Sequence, residues 1–143
     1  MTNARRISIA ALALLTAGVL SGCSMETLQN ETSDEFETVA DLTTAWELPV
    51  AWLPEDSVDI RTHSAINGDL AIVRATTDES LDPASCAEVE RQSGPVYEED
   101  WSPSPYVDTA WACGDWTIIP TDDGWYGWTP NHPDEKAAVP AAD

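Results

Sequence analysis

Leu70-Ala71-Ile72-Val73-Arg74-Ala75-Thr76 is the strongest strand signal in the chain. The stretch is apolar on both faces and β-branched at Ile72 and Val73, which is typical of a strand with neighbours on both sides. Asn67-Gly68-Asp69 is a turn signal directly before it. Ahead of that turn, Val58–Thr62 alternates apolar and polar residues. The two segments therefore predict an antiparallel hairpin with a long loop.

A second hairpin is predicted further along the chain. Trp116-Thr117-Ile118-Ile119 and Trp125-Tyr126-Gly127-Trp128-Thr129 flank a loop that ends in Gly124, and two short β-rich runs around such a loop favour a hairpin. Alternation along each strand places Trp116 and Ile118 on one face of the first strand. It also places Tyr126 and Trp128 on one face of the second, with Trp125 on the other.

The segment between the hairpins is predicted to be partly helical. Asp82–Val89 has a suitable N-cap in Asp82 and a proline in the first turn, which favours a short helix. We interpret the proline-rich stretch from Ser93 to Thr109 as a long irregular loop, pinned by Trp101 and Tyr106. Long loops in compact domains are often functional, so this loop is the first place to look for a site.

These elements predict a mainly β or α+β fold. We expect a small antiparallel sheet of three or four strands, one or two short helices and one disulfide. The globular domain is predicted over 45–129, and the Pro- and Ala-rich segment 130–143 is predicted to be a disordered tail.

The N-terminus has the layout of a secretory signal peptide: Arg5 and Arg6, an apolar run over Ile7–Leu20, and small residues before a cleavage point. The run is too short for a membrane span, which needs about 20 residues. Leu20-Ser21-Gly22-Cys23 resembles the lipobox of bacterial lipoproteins. The resemblance implies that 1–22 is removed and that Cys23 carries a diacylglyceryl group, with palmitate-type chains. A signal peptide cut at another position is the alternative.

If Cys23 is the lipidated residue, the protein is anchored to the extracytoplasmic face of the cell membrane. The mature chain then has 143 − 22 = 121 residues, and 23–44 is predicted to be an acidic, flexible tether. Two cysteines remain, Cys86 and Cys113, an even pair in an oxidising compartment. We therefore predict that they form a disulfide.

The mature chain is strongly acidic. It has four basic and 26 acidic residues, a formal charge of 4 − 26 = −22. Such a surface excludes nucleic acid as a partner, because that contact needs Lys and Arg on phosphate. A solvated surface explains the charge, and attraction of Ca²⁺ or of a basic partner is the alternative. No cofactor or metal site is predicted.

Seven tryptophans lie in the mature chain, and most are expected in the core of so small a domain. One or two left exposed would suit stacking on a glycan or gripping a peptide. The candidate ligand contacts are Trp101, Tyr106, Trp125 and Trp128. The mature part also resembles small lipoproteins of actinobacteria, in 111–116 and 123–129, a resemblance that implies a location and no activity.

Catalytic residues are not predicted. His63 and His132 are expected to be solvent-exposed polar residues. We predict a non-enzymatic binding or interaction domain of the cell envelope. The alternative is a small hydrolase that works through two carboxyl groups facing each other across a cleft. Its candidate carboxylates lie beside tryptophans: Asp100, Asp115, Asp122 and Asp123.

Overall fold

Seven strands form one antiparallel sheet in the computed structural model, which describes residues 30–141. The elements, in chain order, are β1 (Glu31–Thr38), α1 (Val39–Ala45), β2 (Val58–Ala65), β3 (Ala71–Thr76), β4 (Cys86–Glu90), β5 (Thr109–Cys113), β6 (Trp116–Thr121), β7 (Gly124–Thr129) and α2 (Pro133–Ala137). The strand order across the sheet is β1-β2-β3-β7-β6-β5-β4. Both predicted hairpins are confirmed, and they join through the pairing of β3 with β7.

The predicted mainly β class, two short helices and one disulfide are confirmed, but a sheet of three or four strands understates its size. The prediction of a flexible tether is also wrong from Glu31 onward, because this segment forms β1 and α1. β1 is an edge strand whose burial pattern is mostly exposed. Its acidic sequence gives little strand signal by itself. It becomes a strand because it pairs with β2.

The predicted helix over Asp82–Val89 is wrong. Asp82 accepts hydrogen bonds from the backbone N–H groups of Ala84 and Cys86, each at 2.9 Å, which close a single turn. From Cys86 the chain runs on as β4, paired with β5. Long-range pairing therefore outweighs the local helix signal.

The predicted disordered tail contains a capped helix. His132 caps α2: its side chain accepts from the Asp134 backbone N–H, and the Glu135 side chain accepts from the His132 backbone N–H. Glu135 is 1% exposed. The prediction of disorder therefore does not hold for 133–137, which pack onto the domain.

The sheet has a hydrophobic core on each face. The first core includes Leu42, Trp52 and Trp116 and is covered by α1 and the segment 46–57. Tyr126 and Trp128 belong to the second core, against which Trp101 packs from the irregular loop 91–108. Trp125 packs on the first core. The predicted division of the β7 aromatics between the two faces is therefore confirmed.

The disulfide joins the two buried cysteines Cys86 and Cys113. They are directly opposite each other in the β4–β5 ladder, with Cα atoms 4.4 Å apart. That distance matches a non-hydrogen-bonded antiparallel pair, which brings side chains closest together.

All seven strands share one end that we call the disulfide end. Glu31 pairs with Ala65 there, where β1 begins and β2 ends. β7 ends and β6 begins at the same end, beside the Cys86–Cys113 pair. The opposite end, where β1 ends and the β6–β7 turn lies, we call the far end. Within residues 30–141, no helix has both the length and the hydrophobicity needed to cross a membrane.

Gly127 is one of the positions where the sheet requires a glycine. A Cβ there would lie 2.8 Å from Cζ2 of Trp52 and 3.2 Å from Cγ1 of Ile118. We expect Gly127→Ala to lower the free energy of unfolding by about 1–3 kcal/mol, the usual cost of overpacking a core. Urea denaturation measures it.

Gly68→Ala is the matched control for this substitution. A Cβ at Gly68 meets only the Ala65 Cβ, at an ordinary 3.6 Å, so stability should change little. Equal effects of the two substitutions would contradict the tight packing of Trp52 against β7.

Candidate functional site

The four predicted aromatic contacts do not converge on one surface. Trp128 is 1% exposed, and its indole N–H donates to Ser93 Oγ at 2.9 Å, so it belongs to the core and cannot be an open contact. Trp125 lies on the opposite face, with its indole N–H donating to the Glu79 carbonyl oxygen. Trp101 is half-buried against the second core, whereas Tyr106 is 87% exposed and does not pin the loop as predicted.

A cavity of about 610 Å³ lies at the disulfide end of the sheet; we call it the end cavity. Its walls are mainly apolar, and they include Leu48, Trp52, Trp116, Val139 and Pro140. Ligand pockets in proteins span about 300–1,000 Å³ and are lined mostly by such side chains. The size and lining therefore suit a small apolar ligand or an apolar part of a larger one.

Three tryptophans fix the wall on one side of the end cavity. The ring of Trp116 lies 5.8 Å from that of Trp52 and 6.2 Å from that of Trp46. The indole N–H of Trp116 donates to the Pro49 carbonyl oxygen at 2.9 Å, which holds the ring in place. The ring of Trp116 is therefore held in place, whereas the indole N–H of Trp52, the other tryptophan that lines the cavity, is buried without a hydrogen-bond partner among residues 30–141.

Charged side chains also line the end cavity. Asp69 lies in the β2–β3 turn, and Asp115 forms an ion pair with Lys136 of α2. Asp115 and Lys136 are each more than half exposed, so this pair contributes little to stability. These groups can orient a polar head, while the apolar walls hold the rest of a ligand.

Sequence reasoning missed the end cavity because its walls come from five separate segments, one of them the tail predicted to be disordered. The only local signal was the apolar run Trp46–Pro54, which the structure places along one wall.

A second cluster surrounds His63 on β2, and we call it the His63 latch. Glu31 Oε2 lies 3.2 Å from Nε2 of the ring, and Glu99 Oε1 contacts Nδ1. Ser33 Oγ is 3.0 Å from the same Nδ1. Tyr97 stacks on the ring with 4.3 Å between centroids. The predicted solvent-exposed histidine is thus a partly buried, bridging residue.

The His63 latch has a nucleophile and a ring nitrogen at hydrogen-bond distance, but its chemistry favours bridging. Each ring nitrogen faces a carboxylate oxygen, Glu31 Oε2 at Nε2 and Glu99 Oε1 at Nδ1, so neither nitrogen is left for Ser33 alone. The cluster therefore ties edge strand β1, through Glu31, to the loop 91–108, through Glu99.

Tyr97 also takes part in this contact. Burial, followed by the nearby charge of Glu31, raises the pKa of its hydroxyl. Tyr97 therefore stays neutral at physiological pH and acts as an apolar cover over the imidazole ring.

Replacing the His63 imidazole should make the loop 91–108 open more often. We expect His63→Gln to raise the rate of chymotrypsin cleavage after Tyr97 and Trp101 about five-fold, because it removes about 1 kcal/mol of pairing that resists local opening. Limited proteolysis followed by mass spectrometry measures it. Ala40→Gln is the control, since Ala40 is an exposed residue of α1, on the face of the sheet opposite this loop. Unchanged cleavage in His63→Gln would mean that the latch does not hold the loop.

Two of the candidate carboxylates of a hydrolase, Asp115 and Asp123, do not face one another. They flank the two ends of β6, which separates their backbones by roughly 20–26 Å at the usual rise per residue. Catalytic pairs lie within about 5–9.5 Å.

Asp123 instead lines a polar groove of about 720 Å³ at the far end, together with Glu35, Arg61 and Arg74. Hydrogen bonds from Arg74 and Thr121 lower its pKa. A general acid needs a raised pKa, so Asp123 does not suit the role of the acid in such a pair.

Within residues 30–141, no group of three or more His, Cys, Asp or Glu side chains is placed to hold a metal ion. Comparison with known proteins gave no match to a family model, a curated protein or a solved structure. The function of the protein is therefore inferred from the sequence and geometry of this chain alone.

Proposed function

We propose that this chain is a lipid-anchored binding domain of the cell envelope, exposed on the extracytoplasmic side of the membrane and attached through Cys23. The lipobox-like Leu20-Ser21-Gly22-Cys23 supports the anchor. The Cys86–Cys113 disulfide supports the compartment, because disulfides persist in oxidising surroundings. Both 1–22 and Cys23 lie outside the described residues.

The observation that carries the binding role is the end cavity. It combines a volume typical of ligand pockets with a fixed wall of tryptophan rings and a few charged groups beside it. A non-enzymatic role fits this site better than a reaction, because Asp115 beside it is paired with Lys136 and the histidine of the latch bridges two carboxylates.

The loop 91–108 is a second contact surface for an envelope glycan or protein. Tyr106 presents an open ring, and Trp101 packs beneath the same loop. Trp125 is part of neither surface, because it does not line the end cavity and it packs on the face of the sheet opposite the loop 91–108. Of the four aromatic candidates, Trp101 and Tyr106 therefore remain as glycan or peptide contacts.

Replacing Cys23 tests the anchor. In a bacterial host, we expect the wild-type chain to partition into the detergent phase of a cloud-point extraction and Cys23→Ser into the aqueous phase. The reason is that two or more acyl chains hold a protein stably in apolar surroundings. Mass spectrometry of the N-terminal peptide should show the added acyl groups on Cys23.

Ser24→Ala is the control for this experiment, because it changes the neighbouring residue and leaves the thiol intact. Wild-type protein in the aqueous phase, or Cys23→Ser in the detergent phase, would remove the proposed anchor.

A further inference from the structure

We propose that the end cavity takes up an acyl chain of a membrane lipid, and that the anchor holds the cavity close to the membrane for this purpose. The inference depends on the proposed anchor at Cys23 and specifies the ligand class of the end cavity. It follows from where the chain enters the sheet, what lines the cavity and which apolar side chain lies beside the entry point.

The chain enters the sheet at the end that carries the cavity. Asn30 precedes β1, and its carbonyl oxygen accepts from the Ile66 backbone N–H at 2.8 Å, in the β2–β3 turn. Asp69, in the same turn, lines the cavity. The β6 start and the β7 end, at Trp116 and Thr129, line it as well. The cavity and the entry of the chain therefore share the disulfide end.

The short connection to Cys23 keeps this end near the bilayer. Seven residue steps separate Cys23 from Asn30, and an extended chain spans at most about 25 Å over that length. The cavity lies on β7, β6 and β5, three to five strand positions from β1, or roughly 14–24 Å along the sheet. The entry of the chain, at the disulfide end, therefore lies within about 25 Å of the lipidated residue.

The cavity has the chemistry that an acyl chain requires. The indole rings of Trp52 and Trp116 line it; the Trp116 N–H is bound to Pro49, and the Trp52 N–H is buried without a hydrogen-bond partner in the described part of the chain. Leu48 and Val139 add further apolar surface. Moving an acyl chain from one apolar environment to another leaves its CH₂ groups out of water, so little driving force is lost. Lys136 and Asp115 lie where a polar head would remain in solvent.

An exposed apolar side chain marks the same end. Ile66 is 52% exposed, and its backbone pairs with Asn30 at the entry to β1. A side chain of this kind gains free energy when it enters the interface of a bilayer. The net charge of the mature chain prevents attraction to anionic lipids, so contact at this end depends on the anchor and on apolar groups.

Quenching by brominated acyl chains tests this inference. Full-length lipidated protein is reconstituted into phosphatidylcholine vesicles with or without bromine on the acyl chains, and flotation first records whether it is anchored. A pocket of this size buries most of its ligand, so bromines should contact Trp52 and Trp116, two of the seven tryptophans, and remove about a quarter of the fluorescence.

The Ala84→Phe variant distinguishes quenching of the tryptophans in the end cavity from quenching of tryptophans elsewhere in the protein. Ala84 is an exposed turn residue that lines the cavity, and a phenyl ring there should block entry and reduce the quenching several-fold. Ala40→Phe, an equally exposed position in α1, is the matched control and should keep it. Circular dichroism and the intact disulfide check that each variant is folded.

Three results would overturn the inference. Protein that floats with the vesicles but is not quenched would show that another occupant, such as a peptide or this chain's own acyl group, fills the cavity, and the anchor would stand. Quenching that persists in Ala84→Phe would assign the contact to a tryptophan outside the cavity. Failure to float would remove the proposed anchor and, with it, this inference.

Discussion

Replacing Glu135 with glutamine is expected to lower the free energy of unfolding by about 3 kcal/mol at pH 7. The carboxylate accepts hydrogen bonds from the backbone N–H groups of Gln92, Ser93 and His132, at 2.7, 3.0 and 2.8 Å. It also accepts from the hydroxyls of Ser93 and Thr117, at 2.6 and 2.7 Å. Glutamine keeps one acceptor oxygen and turns an NH₂ group towards these donors, so buried donors lose their partners.

The size of this effect follows from the pKa of Glu135. Burial alone would raise the pKa, but the hydrogen bonds from Ser93, Gln92, His132 and Thr117 outweigh it and hold the value at about 2. A shift from 4.5 to about 2 corresponds to about 3 kcal/mol at 1.36 kcal/mol per pKa unit. For a domain of about 100 residues, this lowers the melting temperature by roughly 10–20 °C.

The contribution of Glu135 to the free energy of unfolding decreases as the pH falls. Because the pKa of Glu135 is lower in the folded protein than in the unfolded chain, its contribution is complete above about pH 4.5 and is lost as the pH falls towards 2. The difference in unfolding free energy between the wild type and Glu135→Gln should therefore be constant from pH 7 to about 5. It should shrink between pH 4.5 and 2. Urea denaturation at pH 7, 5, 3.5 and 2 measures this difference.

Asp134→Asn is the matched control, because Asp134 is the neighbouring acid on α2 and its side chain is 73% exposed. Its effect should be well under 1 kcal/mol. A Glu135→Gln protein as stable as this control at pH 7 would show that the carboxylate does not join the tail to the loop 91–108 and β6.

The local sequence predicts the centre of the sheet well. The β2–β3 and β6–β7 hairpins have alternating or β-branched residues and turn signals close together in the chain, so each can be inferred from a short window. The placement of Tyr126 and Trp128 on one face of β7, and of Trp125 on the other, follows from the alternation of side chains along a strand. The disulfide follows from the two cysteines that remain when Cys23, in the lipobox-like segment, is set aside.

The edges and the tail depend on long-range contacts, which a local pattern does not contain. β1 is acidic and becomes a strand only beside β2, while β4 follows a local helix signal that its pairing with β5 overrides. Glu135 is one of 26 acidic residues, and nothing near it in sequence marks it as buried. Its donors at 92, 93 and 117 are 18 to 43 residues away.

The residues of the candidate site can also be predicted only in part from the local sequence. The sequence points to aromatic residues but cannot say which are open, so Trp128 was a plausible contact and is a core residue. The His63 latch joins positions 36 residues apart through Glu99. Only the apolar run Trp46–Pro54 contributes to the end cavity in a way that composition could suggest.

Removing the disulfide is expected to have an effect at least as large as the loss of Glu135. The Cys86–Cys113 bond closes a loop of 28 residues, for which the loop-entropy relation gives about 3.5 kcal/mol of stability. We expect Cys86→Ala/Cys113→Ala to lose about that amount in urea denaturation at pH 7, and the wild type in reducing agent to lose a similar amount.

The closed loop also contains the loop 91–108, which covers the second core and carries Tyr97 and Glu99 of the latch. Cleavage by chymotrypsin in this loop should therefore rise in the double variant, with the His63 latch still present. Cys23→Ser is the control, because it removes a cysteine outside the ladder and leaves the Cys86–Cys113 bond intact.

Equal urea midpoints for reduced and oxidised wild type would contradict the expected role of the bond. A loss of about 3.5 kcal/mol is a large part of the net stability of a domain, which is about 5–15 kcal/mol. The protein should therefore be much less stable in a reducing solution than in an oxidising one.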